Sequence, residues 1–156
     1  MECTYRLYQI RALDATGKPA WDCLGAGRFQ LVGTVLICQD YSRQPDEYPR
    51  GIVALDPATG HILWRRGDIT NDTGAMDTNL GEWHGQAVVL QESKLCGLNP
   101  RTGKTVWTVD VSPPGRKARI REVRIVGDVL LVATAGTKGR PAQVCAYTRE
   151  RPRRHL

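Results

Sequence analysis

The sequence contains no uninterrupted apolar run of about eighteen residues, the length that a membrane-spanning helix needs. We therefore expect no transmembrane helix. The opening residues, MECTYRLYQI, lack the basic segment, the apolar segment and the cleavage site of a secretory leader, so no signal peptide is expected at this end. A Ser/His/Asp nucleophile pattern, a glycine-rich phosphate loop and a CxxC pair are also missing. These absences remove the usual sequence signals of hydrolases, nucleotide-binding enzymes and thiol oxidoreductases.

Cysteine chemistry is limited to five residues, which are Cys3, Cys23, Cys38, Cys96 and Cys145. Their odd number and wide spacing fit neither a zinc site nor a dense disulfide framework. The residues at positions 38, 96 and 145 lie within apolar, strand-like runs. We expect those three to act as small buried hydrophobic side chains.

Positive charge is concentrated in the last third of the chain. Residues 115–156 hold 11 Lys and Arg against 3 Asp and Glu, whereas residues 1–114 hold 11 against 13. Such a basic region could attract nucleic acid or anionic lipid. Because Tyr147 is the one aromatic residue among the basic ones, we interpret the region as a solvated face plus a frayed tail (Arg149, Arg151, Arg153, Arg154). We expect no nucleic-acid partner.

The clearest feature that is present is an internal repeat. The segments ALDATGKPAW (residues 12–21), ALDPATGHILW (54–64) and GLNPRTGKTVW (97–107) align, and their leucines at 13, 55 and 98 are 42 and 43 residues apart. A period near 42 is typical of the four-stranded blade of a β-propeller. With 156 residues, 16 Gly and many Val and Leu, the composition also suits an all-β domain.

Each copy contains three elements that together predict a β-hairpin. An Asp or Asn can hydrogen-bond the backbone of the turn that follows it, and a Thr-Gly pair supplies the positive φ that a tight turn needs. A tryptophan then stands at a fixed place on the second strand. We assign these residues a structural role in the repeat, with no catalytic, cofactor-binding or metal-binding role: Asp14, Gly17, Trp21, Asp56, Gly60, Trp64, Asn99, Gly103 and Trp107.

A second recurring element predicts the two remaining strands of each blade. Residues 32–37 (VGTVLI) align with residues 126–131 (VGDVLL), and residues 84–89 (HGQAVV) are a looser copy. Each reads as a short strand, a tight turn and a strongly apolar strand. We therefore predict one partial propeller domain over residues 1–156, with blades at about 3–24 (partial), 28–67, 82–110 and 119–156 (incomplete). A polar insertion occupies residues 40–50, and residues 148–156 lack the Asp, Thr-Gly and Trp of the repeat.

The motif Ala-Leu-Asp-x-x-Thr-Gly-x-x-x-Trp resembles the tryptophan-docking repeat of β-propellers similar to pyrroloquinoline-quinone (PQQ) proteins. That family includes quinoprotein alcohol dehydrogenases and the BamB-type lipoproteins of outer-membrane assembly. The resemblance implies that each Trp packs against the neighbouring blade and that a complete ring has eight blades. About three and a half would lie in this chain. The resemblance also implies that the protein is located in the bacterial cell envelope, in the periplasm.

An incomplete ring leaves unpaired strand edges and apolar faces. Two explanations stay open. Either the chain is a fragment of a longer protein, which we favour because it begins and ends within a blade, or two half-rings associate with each other.

For three candidate functional sites, the sequence supports a structural role better than a functional one. Residues 68–79 are rich in Asp, Asn and Thr but lack the glycine and glutamate of a calcium loop. Glu82 and His84 could form an acid/base pair. The resemblance implies that an active quinoprotein carries an adjacent Cys-Cys pair, calcium ligands and a catalytic Asp, and the sequence has no such dipeptide and no matching Asp motif. His61 is interpreted as an exposed turn residue. We expect no cofactor.

The sequence therefore favours a non-catalytic scaffold that binds proteins through its loops at residues 40–50, 68–79 and 134–141. The alternative is part of a PQQ-dependent alcohol dehydrogenase whose active-site residues lie outside this chain. A nucleic-acid or lipid contact through residues 115–156 ranks last.

Overall fold

The computed structural model describes residues 8–42, 51–69, 79–91, 94–111, 120–136, 139, 141–148 and 152–153. Within these residues every regular element is a β-strand, so the all-β prediction is confirmed. The strands fall into one hairpin and three four-stranded sheets. The hairpin contains β1 (Gln9–Leu13) and β2 (Pro19–Leu24).

Each four-stranded sheet is an antiparallel meander, in which every strand pairs with the next along the chain. The second sheet contains β3 (Ala26–Val32), β4 (Val35–Asp40), β5 (Ile52–Leu55) and β6 (Ile62–Arg66). The third contains β7 (Asn79–Trp83), β8 (Gln86–Gln91), β9 (Lys94–Leu98) and β10 (Thr105–Asp110). The fourth contains β11 (Ile120–Val126), β12 (Val129–Thr134), β13 (Gln143–Tyr147) and β14 (Pro152–Arg153).

The core lies between successive sheets, because their middle strands are covered on both faces. Every residue of β4 and of β5 is buried, as are the four central residues of β8. The first strands of the three large sheets also touch, β3 against β7 and β7 against β11. The cysteines at 38, 96 and 145 are buried as predicted, whereas Cys23 is half-buried and Cys3 lies outside the described residues.

The turn between β7 and β8 corrects the alignment of the second repeat element. Strand β3 ends at Val32 and β7 ends at Trp83, so the equivalent of residues 32–37 begins at position 83, one residue earlier than predicted. The reason is turn chemistry. His84 and Gly85 both have positive φ, 51° and 74°, as in a type I′ turn, whereas in residues 33–34 and 127–128 only the leading glycine does. Gly85 therefore occupies the second position of the β7–β8 turn, and His84 occupies the first.

The tail also differs from its prediction. Pro152–Arg153 forms a two-residue fourth strand that pairs with Ala146 and Tyr147. Arg153, expected in a frayed tail, therefore has its backbone in the sheet. Arg149, Arg151 and Arg154 lie outside the described residues.

The polar insertion begins later than its sequence indicated. Asp40 is buried and its carboxylate accepts a 2.8 Å hydrogen bond from Arg65. Ser42 accepts another from the same guanidinium at 2.8 Å, and the N–H of Tyr41 donates to the carbonyl of Gly25 at 2.6 Å. Residues 40–42 therefore hold neighbouring strands together, and only residues 43–50, which lie outside the described part, remain as insertion. None of the described elements is a helix long and apolar enough to cross a membrane.

Leu55 and Leu13 occupy the same place in the repeat but differ in burial, 0% against 59% exposed. Replacing Leu55 by Ala leaves a cavity between sheets and should lower the free energy of unfolding by about 2–5 kcal/mol. Leu13→Ala, the matched control, should cost less than about 1 kcal/mol. Urea denaturation measures both; equal losses would contradict this placement of the core.

Candidate functional site

The repeated hairpins place one polar side chain at the centre of each turn. Oδ1 of Asp14 accepts hydrogen bonds from the backbone N–H groups of Thr16 (2.8 Å) and Lys18 (3.0 Å). Oδ1 of Asp56 accepts from the N–H of Ala58 at 2.9 Å. Oδ1 of Asn99 accepts from the N–H of Arg101 at 3.0 Å. Each carboxylate or amide thereby replaces water for backbone groups that the tight turn leaves without strand partners.

The glycine of each turn lies in the left-handed region, with φ of 81° at Gly17, 74° at Gly60 and 70° at Gly103. At the second and third turns, a tryptophan of the preceding sheet covers this glycine. A Cβ at Gly60 would lie 2.6 Å from Cδ2 of Trp21, and one at Gly103 would lie 2.6 Å from Cδ2 of Trp64. The indole therefore occupies the space that any other residue's side chain would fill.

The same two indoles also donate a hydrogen bond to the turn they cover. Nε1 of Trp21 donates to the carbonyl of Pro57 at 2.9 Å, and Nε1 of Trp64 donates to the carbonyl of Pro100 at 2.8 Å. Each pair is separated by 36 residues. Sheet-to-sheet contact thus has one repeated form, in which a ring packs on a glycine and an N–H meets the carbonyl of the residue after the Asp or Asn.

Trp107 is arranged differently. Its Nε1 donates to Oε1 of Gln86 in its own sheet, and a Cβ at Gly97 would lie 2.1 Å from that nitrogen. In the first two hairpins the strand partner of the tryptophan is alanine, at positions 12 and 54. Gly97 takes that place in the third. The indole of Trp107 therefore leans onto its own strand because the strand has no side chain there.

A cavity of about 220 Å³ adjoins this tryptophan at the junction of the third and fourth sheets. Its walls combine aromatic and aliphatic side chains with a few polar groups: Trp83, His84, Gln86, Trp107, Val109, Leu130, Tyr147 and Thr148. The rings of Trp83 and Trp107 meet edge to face, with centroids 5.5 Å apart. Nε1 of Trp83 is buried and has no hydrogen-bond partner among the residues that the structure describes. A buried donor beside aromatic walls suits a ligand that carries an acceptor oxygen. This site was not predicted from the sequence, because Trp83 lies outside the repeated motif.

The other sequence candidates are separated by the structure. Oε2 of Glu82 accepts from the backbone N–H of Gly33 at 3.2 Å, and Nε2 of His84 lies 3.8 Å from Asp128. Both side chains therefore contact neighbouring hairpin turns, and no bond between the two is seen. Asp68 is paired with Arg66 at 2.6 Å, and residues 70–78 of the same candidate loop lie outside the described residues. His61 is exposed, as predicted.

The shifted pKa values have structural causes. Hydrogen bonds from Thr16 and from the backbone of Lys18 hold the pKa of Asp14 below its usual value. Arg11 lowers the pKa of Asp22, and Arg66 lowers that of Asp68. Burial raises the pKa of Cys38 to about 12, so this thiol stays protonated at neutral pH.

The described side chains do not fit a quinone with its calcium ion. Within the ranges that the structure describes, no three His, Cys, Asp or Glu side chains are grouped to hold a metal. The described cysteines stand on four different strands, β2, β4, β9 and β13. The adjacent Cys-Cys pair that an active quinoprotein would carry has no counterpart among them.

The meanders, their core between sheets and the repeated tryptophan contacts define a segment of a β-propeller of the PQQ-like class. The chain belongs to the family described as outer membrane protein assembly factor BamB, whose model matches residues 6–152. The resemblance read from the repeat motif is thereby confirmed. No curated protein matches the chain.

Solved structures show the same fold at low sequence identity. BamB from Moraxella catarrhalis has a TM-score of 0.60 at 16% identity, over 95% of this chain and 42% of its own. A europium-containing methanol dehydrogenase has a TM-score of 0.60 at 19% identity, over 99% and 27%. The quinohemoprotein alcohol dehydrogenase ADHIIG from Pseudomonas putida HK5 has 0.58 at 18%, over 81% and 19%. The chain thus spans less than half of each of these proteins.

Gly60→Ala and Gly17→Ala separate the strain of the turn from the contact with the tryptophan. Both force alanine into a positive φ, which costs about 1–2 kcal/mol. Only at Gly60 would the new methyl collide with an indole, since nothing lies within 4 Å of a Cβ at Gly17. We expect Gly60→Ala to lose about 1–3 kcal/mol more than Gly17→Ala in urea denaturation. Equal losses would show that the indole contact contributes nothing.

Asp68 should make the free energy of unfolding depend on pH in the acid range. Arg66 holds this carboxylate and also donates to the carbonyl of Gly103 in the next sheet at 2.8 Å. Because the folded-state pKa of Asp68 is lowered, its contribution is present above the unfolded-state pKa of about 3.9 and is lost as pH falls through the folded value. Asp68→Asn should therefore lose less stability than the parent chain between about pH 5 and pH 2.

Arg66→Gln is the matched control for this acid dependence, because it removes the cause of the shift and should flatten the profile to the same extent. Thermal melts across the pH series measure all three proteins. An unchanged acid slope in both variants would contradict the role of the pair.

Proposed function

We propose that this chain is part of a non-catalytic PQQ-like repeat propeller that serves as a protein-interaction scaffold in a longer bacterial envelope protein. The proposal treats residues 1–156 as one partial propeller domain, with the nine repeat residues as its structural frame. The observation that carries it is the family match over residues 6–152, whose description names an outer-membrane protein assembly factor. We infer from this description that the chain contacts other proteins.

The charged side chains are used to hold strands and sheets together, and this supports a scaffold function. Arg11 and Asp22 join β1 to β2 with a 2.7 Å ion pair, Arg65 and Asp40 join β6 to β4, and Arg66 reaches the next sheet. These pairs link strands and sheets to each other. Partner contacts are then left to the segments named from the sequence, residues 68–79, 134–141 and 40–50, and in the last of these we propose residues 43–50 because residues 40–42 belong to the frame.

A second candidate is part of a quinoprotein dehydrogenase. Its support is the likeness to the methanol dehydrogenase, which extends over 99% of this chain. In that case the quinone and metal ligands would come from residues outside those described. A second copy of the chain, closing two half-rings, remains an alternative partner.

One experiment separates these functions. A photo-crosslinking amino acid at Glu47, within residues 43–50, should yield a covalent adduct with one protein of the envelope assembly machinery in living cells. A crosslinker at Lys18, on an exposed repeat turn, is the matched control and should yield none. Adducts are identified by mass spectrometry.

Replacing residues 43–50 by Gly-Ser-Gly-Ser tests the same loop without a crosslinker. Because residues 40–42 are retained, the thermal melt should stay unchanged while the partner is lost from affinity-purified complexes. The purified chain is also incubated with PQQ and Ca²⁺ and desalted. A retained stoichiometric chromophore together with no adduct would overturn the scaffold function in favour of the dehydrogenase.

A further inference from the structure

The fourth sheet carries a turn that cannot receive Trp107 in the repeated way. Tyr147 pairs with Leu130 just as Leu98 pairs with Ala87, so the two sheets are in the same register. In that register Thr148 takes the place of Asn99, and Pro152 pairs with Tyr147 as Thr105 pairs with Leu98. The connection is therefore only residues 148–151, two residues shorter than the turn at residues 99–104. Residues 148–151 are Thr-Arg-Glu-Arg and include no Asp, Asn or Gly. The sequence thus removes both the turn-forming amide and the uncovered glycine face.

The side chains opposite this turn are adapted to its loss. Gln86 accepts the indole N–H of Trp107, which in the two preceding tryptophans goes to a backbone carbonyl of the next sheet. Gly97 makes room for the inward-leaning ring, because a Cβ there would lie 2.1 Å from Nε1. An indole with no binding role would need neither Gln86 nor Gly97. The arrangement holds Trp107 in place beside an open cavity of about 220 Å³.

The cavity also holds an unused donor. Trp83 is only 7% exposed and its ring contacts Trp107 edge to face. Within the described part of the chain its Nε1 has no hydrogen-bond partner. An indole N–H that is buried without an acceptor is destabilising, because it has lost its hydrogen bonds to water. A ligand that brings carbonyl oxygens would recover this cost and could take over the N–H of Trp107 from Gln86. Backbone carbonyls in a turn meet both requirements.

We propose that the cavity formed by Trp83, Trp107 and Gln86 is a receptor for a glycine-containing turn presented by a partner polypeptide. The occupant follows from the chain itself. At both junctions where the tryptophan has a bound segment, that segment is an Asx-Pro-x-Thr-Gly turn whose carbonyl accepts the indole N–H and whose glycine lies on the ring. The same side chain at Trp107 is offered to a turn from outside. This inference rests on the proposed function, because its ligand is a protein.

The binding test uses a backbone-cyclised peptide with the sequence of residues 53–63, VALDPATGHIL, which contains the turn bound by Trp21 and has no tryptophan. It is titrated into the ¹⁵N-labelled full chain, and the indole N–H signals are followed by NMR. We expect the signals of Trp107 and Trp83 to shift and those of Trp21 and Trp64 to stay. A control peptide with proline in place of the turn glycine should bind at least about tenfold more weakly.

Two variants of the chain keep the test decisive. Trp107→Phe retains an aromatic ring but removes the N–H and should weaken peptide binding about tenfold. Trp64→Phe, the matched control at an occupied junction, should leave binding unchanged. Absence of any shift in the parent chain, equal binding of both peptides, or equal binding by Trp107→Phe would overturn the proposal.

A graft of the missing turn provides an independent measurement. Residues 148–151 are replaced by Asp-Pro-Ala-Thr-Gly-His, the six residues that join the paired positions Leu55 and Ile62, so that the chain can fill its own cavity. We expect a higher melting temperature and loss of peptide binding. A grafted chain that binds the peptide as well as the parent would contradict the proposal. The crosslink from residues 43–50 reports the scaffold function separately, so its persistence alongside a failed peptide titration would remove only the turn receptor.

Discussion

The hydrogen bond from a tryptophan N–H to the turn of the next sheet is the contact on which the arrangement of the first hairpin and the two sheets that follow it depends. Each meander satisfies its own backbone, so strand pairing alone gives no reason for one sheet to sit at a fixed distance from the next. The indole sets this distance through two contacts: its ring packs on a glycine, and its N–H donates to a carbonyl. For Trp21 and Trp64 both contacts are made with the turn 36 residues further along.

This contact also explains why the turn residues recur with so little variation. A turn that receives the indole must present a carbonyl outward and carry no side chain at its left-handed position. An Asp or Asn fixes the first condition by bonding the turn from inside, and glycine alone meets the second at no steric cost. The polar groups with the clearest geometry are thus used for assembly of the frame. Partner recognition is then left to loops and to junctions where the pattern changes.

The junction at Trp107 shows what such a change does. Removing the glycine and the Asx residue from the next turn does not simply weaken the contact. Gln86 and Gly97 take over the indole, and the space that the turn would have filled becomes a cavity with aromatic walls. A repeat protein can therefore gain a binding site by losing one repeat element, because neighbouring repeats already have the side chains that bound it.

The sequence by itself determined the repeat, the hairpins, the buried strands and the family, since these depend on local patterns: a 42-residue period, Asx and Thr-Gly turns, and alternating apolar residues. From the sequence, the β7–β8 turn was predicted one residue too late, because a glycine can occupy either central position of a tight turn. The sequence did not show that residues 40–42 belong to the frame, that Pro152 begins a strand, or that Trp107 turns inward beside Trp83. Those outcomes were decided by tertiary structure, because each depends on which side chains from distant segments compete for the same space and the same hydrogen-bonding groups.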